Sequence, residues 1–209
     1  MKINLILAYD HLDDKEGDNF LHCKNHILQN IDNQLVNCFE IDGNSCKPLE
    51  IQNTIIALNE ANFIFVAYSH GNEDALVSTH GTYLNVENAY FLSNSLFYSS
   101  ACLVGVNLAN RLIEQNCLAV VAYEDEFKLP YNSEYDKFFI ECENYGIIQF
   151  LTSDETLGEI HEKMIEFYNT NIDELYNHNA VAAQFLTDNR DNLIVLGDKN
   201  LQKVHFINL

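Results

Sequence analysis

The chain has 209 residues, 31 of them acidic and 11 basic, giving a formal net charge of -20. That balance repels nucleic acid and anionic membranes and favours basic partners or substrates, although a generic solubility surface has the same composition. Hydrophobic residues make up 47% with 8 Gly, 2 Pro and no low-complexity stretch, which excludes a disordered chain and fits a single domain over residues 1–209 with a sizeable core.

The run Ile3-Asn4-Leu5-Ile6-Leu7-Ala8-Tyr9 after Lys2 could pass for a secretory leader, but it is short, meets Asp10 and lacks a small-residue cleavage site. It reads as a first strand. No segment approaches the ~20 apolar residues of a membrane span. The cysteines (Cys23, Cys38, Cys46, Cys102, Cys117, Cys142) are scattered without CxxC pairs, so reduced thiols and a cytoplasmic location are expected. An acidic loop then leads into a helical pattern from about Asn19 to Ile31, with Phe20, Cys23, Ile27 and Leu28 on one face. His22 and His26 sit at i, i+4 beside Cys23, a spacing that can share a metal, but no third ligand is evident and the apolar stripe already explains the helix. No metal or other cofactor is expected.

Val36 to Ile41 alternates weakly and closes at Asp42-Gly43 as a second strand, and Pro48 opens a helix carrying Ile51, Ile55, Ile56 and Leu58. Phe63 to Ser69 is a third strand, nearly all apolar, delivering His70-Gly71. A small hairpin turns at His80-Gly81, a helix is predicted from about Val86 to Leu92, and Ser95 to Tyr98 begins a fourth strand that ends in Ser99-Ser100-Ala101-Cys102. A helix from Gly105 to about Gln115 follows, then a fifth strand from Leu118 to Tyr123 with Glu124-Asp125-Glu126 at its end. Residues 132–187 read as about three helical segments with breaks at Gly146 and Gly158. Leu193 to Leu196 forms a sixth strand ending at Gly197-Asp198, and Val204-His205-Phe206 a short last one. Apolar strands alternating with helices predict an α/β fold, with a mostly parallel sheet of about six strands and helices on both faces.

In such a sheet the ligand crevice lies outside the strand carboxyl ends. His70 and Cys102 each fall at that end of their strand, and neighbouring strands would bring imidazole and thiol to one crevice. That pairing suits nucleophilic catalysis. Cys102 attacks a carbonyl carbon, His70 protonates the departing amine, and backbone N–H groups of Gly71 and Cys102 hold the oxyanion. Gly71, lacking a Cβ, lets backbone approach the substrate, and a helix start just after Cys102 would favour the thiolate.

Tyr68-Ser69-His70-Gly71-Asn72 after one apolar strand and Ser99-Ser100-Ala101-Cys102-Leu103-Val104-Gly105 after the next resemble the caspase-like cysteine peptidases of clan CD. Leu196-Gly197-Asp198 is similar to the terminal Leu-x-Gly-Asp-Pro strand of the gingipain-like and CHAT-type branch, with Lys199 where proline is usual. The resemblance runs from about Met1 to Leu209 and is strongest over residues 61–125. It implies a caspase-like three-layer sandwich and a His70–Cys102 dyad with no third catalytic residue. An oxyanion amide from Gly71 and endopeptidase activity without a cofactor go with it. Small bacterial members of this group serve as regulated effectors, including in antiviral defence, so a protein or peptide substrate and an activating protein partner are expected.

Asp10 at the end of the first strand would face the crevice near His70, and Glu124 and Asp125 would flank Cys102 on the other side, so a basic residue before the scissile bond is expected. Two alternatives stay open. One is a non-catalytic module of the same fold that binds a basic partner through its acidic surface; the other is a different thiol hydrolase or amidase.

Overall fold

The computed structural model describes residues 2–59, 61–130 and 134–208. Strand β1 (Lys2–Tyr9) is buried on both sides from Ile3 onward, because alternate residues feed two separate cores. Leu5, Leu7 and Tyr9 point into one core, Ile6 and Ala8 into the other. The near-continuous apolar runs of β3 (Phe63–Tyr68), β7 (Ser95–Ser99) and β8 (Ala119–Tyr123) have the same cause, a sheet covered on both faces.

These strands, with β2 (Val36–Ile41) and β9 (Leu193–Gly197), make a sheet of order β2-β1-β3-β7-β8-β9. All neighbours are parallel except β9, which runs antiparallel to β8. The two-residue β10 (Ile207–Asn208) pairs antiparallel with the start of β1. On one face, α1 (Gly17–Asn30), α4 (Asp136–Thr152), α5 (Leu157–Tyr176) and α6 (Ala180–Asn192) supply Phe20, Phe139, Ile160 and Leu186 to the core. On the other, α2 (Pro48–Ala57) and α3 (Asn107–Glu114) supply Ile51 and Leu108. The result is an α/β three-layer sandwich. A separate antiparallel sheet of β4 (His70–Asn72), β5 (Ala75–Ser78) and β6 (Gly81–Asn85) adjoins the second face. Gly81 takes φ +100° in its hairpin turn, a backbone conformation that suits glycine.

Several local expectations differ from the structure. The return from β6 to β7 is not an α-helix but a 3₁₀ turn at Ala89–Leu92, and Val204–Phe206 lies in a second 3₁₀ turn, with the last pairing at Ile207–Asn208. Gly146 does not break a helix. It is buried within α4, where a Cβ would stand 2.5 Å from Met164 Sδ and 3.1 Å from Tyr98 Cε2, so it is there for close packing. Helix α5 starts instead at Thr156, whose hydroxyl accepts from Glu159 N–H while the Glu159 carboxylate accepts from Thr156 N–H. The first residues of the helical stretch expected from 132 lie outside the described residues. Among the described residues, no helix is long and apolar enough to cross a membrane.

Candidate active site

The register of β3 on β7 sets the site. Ala67 pairs with Ser99, and His70 and Cys102 each lie three residues beyond that pair, so both chains leave the sheet at the same level. Ser99 Oγ fastens the two ends by donating to Ala67 O at 2.9 Å and accepting from Ala101 N–H at 3.1 Å. Beyond Cys102 the chain turns through Leu103 at φ +63°, held by Leu103 N–H to Asp125 O (3.1 Å) and Gly105 N–H to Tyr123 O (2.8 Å). The end of β8 thereby braces the loop that carries the thiol.

A cleft of about 360 Å³ opens here, and His70 and Cys102 both line it, with Ser69 and Ser100 beside them. Gly71 packs directly on the Cys102 loop: a Cβ would meet Cys102 O and Val104 Cγ1, each at 2.7 Å. His70 Nε2 lies 3.1 Å from Asp13 Oδ2, and its ring meets Phe20 edge-on with centroids 5.7 Å apart. Partial burial works against ionisation of Asp13. The N–H groups of Glu16 and Lys15 (2.8 and 2.9 Å to Oδ1) together with His70 outweigh it and hold the carboxyl below its ordinary range. Asp13 is therefore a fixed anion on the imidazole.

Cys102 is half-buried, and Phe127 N–H donates to its Sγ at 3.3 Å. Burial raises its pKa; the Phe127 amide opposes this, and Glu126 and Glu16 push it further up. The helix expected to favour the thiolate begins only at Asn107, after a turn. The net effect holds the thiol above its ordinary range.

Asp10 does not reach the cleft. It is fully buried against the tip of the β5–β6 hairpin, where Oδ2 accepts from Thr79 Oγ1 at 2.8 Å and from Thr79 N–H. Glu124 and Asp125 are exposed and lie outside the cleft lining; their backbones serve as braces, Glu124 N–H on Asn192 O and Asp125 O on Leu103 N–H. The carboxylates that do line it are Glu16, Glu126 and Glu143, among the apolar walls Phe20, Phe127 and Phe185. His80 is exposed in its turn. His26 meets Asn144 Nδ2 at 3.2 Å, and among the described residues no group of three metal-ligating side chains forms.

Glu143 is the unusual member. Only 1% exposed, it accepts hydrogen bonds from Ser100 Oγ and, at 3.1 Å, from Cys23 Sγ. Burial pushes its carboxyl up to about 7, against the pull of those two donors and with a small addition from Glu16. Around it Tyr98 OH donates to Glu143 O (2.6 Å), Tyr68 OH to Asn144 Oδ1, and Asn144 Nδ2 to Cys23 O (3.0 Å). Two sequence signals point to these residues. Glu143 interrupts the inward stripe Phe139, Cys142, Ile147, Phe150 of an amphipathic helix, and Asp13 belongs to the acidic loop that follows the first strand. Compared with known proteins, the chain matches no family model and no curated protein.

Proposed function

We propose that the protein is a caspase-like cysteine endopeptidase in which Cys102 is the nucleophile and His70 the acid–base group. The observation that carries the reading is the seating of imidazole and thiol on one cleft by the Ala67–Ser99 register and the Gly71–Cys102 packing. With Nε2–H donated to Asp13, Nδ1 holds the lone pair that exchanges a proton. Cys102 loses its proton to His70 as Sγ attacks the substrate carbonyl carbon. The C=O electron pair moves to oxygen, where N–H groups of Gly71 and Cys102 hold it. Collapse breaks the C–N bond, and the amine leaves with the proton from His70. Water, deprotonated by His70, then attacks the thioester and releases the acid and the thiol. A substrate with a basic residue before the scissile bond suits the carboxylates of the cleft and the net charge of -20.

A peptidyl electrophile and mass spectrometry test the nucleophile. Cys38 is the exposed competitor, but burial of its sulfur and nearby Glu40 push it up to about 11, so Cys102 is expected to be labelled first. Neo-termini generated in a cell extract should vanish with Cys102→Ala or His70→Ala and persist with His80→Ala. First labelling at Cys38, or cleavage retained by Cys102→Ala, overturns the assignment; labelling without any neo-terminus would point to a thiol hydrolase of another kind.

A further inference from the structure

Glu143 stands at the floor of the cleft with no countercharge. Its two oxygens each take one donor, Ser100 Oγ and Cys23 Sγ, which leaves each with acceptor capacity. Among the described residues no lysine or arginine pairs with it: Lys24 engages Glu40, and Lys128 engages Asp188. The titratable groups around it are Glu16 and Cys23 from the α1 side and Tyr68, Tyr98 and Tyr123 from the sheet, with Glu126 and His70 on the same cleft; Lys128 lines the cleft too, but its ammonium is held by Asp188 at 2.5 Å. None of these, Lys128 included, forms an ion pair with Glu143. The walls, Phe20, Phe127 and Phe185, suit an alkyl stem and the face of a cation.

We propose that Glu143 is a specificity-determining residue of this cleft, selecting a cationic side chain of the substrate when ionised and a neutral one when protonated. The inference rests on the peptidase reading of the site and adds to it a choice made by one buried group. An ionised carboxylate held only by the Ser100 and Cys23 donors lacks a countercharge, and a lysine or arginine head group supplies it. A protonated carboxyl instead offers a hydrogen bond to an amide and leaves a buried cation uncompensated. Because the carboxyl titrates near 7, its ionised fraction changes by up to about thirtyfold between pH 5.5 and 8.5.

The test uses the whole protein and two peptides that differ only in Lys or Gln before the scissile bond. The ratio of their kcat/KM values cancels whatever His70 and Cys102 contribute to both substrates alike. It should rise by ten- to thirtyfold from pH 5.5 to 8.5 and become flat in Glu143→Gln. A flat ratio in the unaltered protein overturns the proposal, as does a rise that persists in Glu143→Gln. Ser100→Ala provides a second check: losing a donor that favours the ionised form, it should move the midpoint of the ratio to higher pH, and an unmoved midpoint counts against Glu143. A binding arm on Cys102→Ala needs no turnover. There n-butylguanidinium, followed by NMR, should bind ten- to thirtyfold more tightly at pH 8.5 than at 5.5, while neutral n-butylurea gains nothing. Equal pH dependence of the two probes overturns the proposal. Absence of peptide cleavage with the expected probe binding would instead count against the peptidase reading alone.

Discussion

The α-carbon of Gly71 lies so close to the Cys102 loop that an added Cβ would stand 2.7 Å from the Cys102 carbonyl oxygen and 2.9 Å from the Ala101 Cβ. One of those neighbours is backbone, braced from behind by the Leu103 N–H bond to Asp125 O, so it cannot swing aside as a flexible side chain would. Gly71→Ala should therefore cost about 1–3 kcal/mol through overpacking. At about 2–4 °C per kcal/mol for a chain of this size, thermal unfolding should begin several degrees lower. Peptide cleavage should fall by more than the lost stability explains, because the substitution pushes the imidazole and thiol loops apart. A Gly71→Ala protein with unchanged melting and turnover would show that the contact does not set the site.

Asp13 Oδ2 lies 3.1 Å from His70 Nε2, which leaves Nδ1 for the proposed proton exchange. On the proposed mechanism Asp13 is a positioning residue acting through the imidazole, its charge favouring Nε2–H and leaving Nδ1 as the base. Asparagine keeps the shape but can present an amide N–H to Nε2 and so select the wrong tautomer. Asp13→Asn is expected to lower kcat by about ten- to a hundredfold with KM little changed, an order of magnitude in keeping with general acid–base contributions. Asp13→Glu should recover part of the loss. A change confined to KM, or none at all, would remove Asp13 from the machinery.

The fold was legible because burial on two faces writes itself into β3, β7 and β8 as short unbroken apolar runs, and because His70 and Cys102 follow those runs directly. The placement of Asp10 was not. Sequence places it at a strand end, but whether a strand-end side chain faces the crevice depends on what packs there. Thr79, on the hairpin tip, offers Asp10 two donors that no local pattern announces. Glu124 and Asp125 illustrate a related limit. The acidic cluster was visible, yet all three carboxylates are exposed and only Glu126 lines the cleft. Glu143 reaches the site from a helix 41 residues beyond Cys102 in the chain, a proximity that only the packing of α4 on the sheet creates.

That burial of Glu143 has a consequence for stability that does not depend on any substrate. Its carboxyl is raised from 4.5 to about 7 on folding, so the folded state holds the proton more tightly than the unfolded chain. Its stabilising contribution is full below pH 4.5 and is lost as pH rises through 7. The shift corresponds to about 3 kcal/mol between those limits. His26 and His161 act in the opposite sense, since burial lowers both of their pKa values and their contribution grows as pH rises. Both remain in Glu143→Gln and cancel in the comparison. The stability of Glu143→Gln relative to the unaltered protein should therefore climb by up to about 3 kcal/mol from pH 4.5 to pH 8, whatever its absolute level. That level is set separately by the amide that Glu143→Gln introduces, which cannot accept from both Ser100 and Cys23. Denaturant unfolding of both proteins at half-unit pH intervals measures the difference directly. A difference that stays constant across the interval would mean that Glu143 remains ionised in the folded protein.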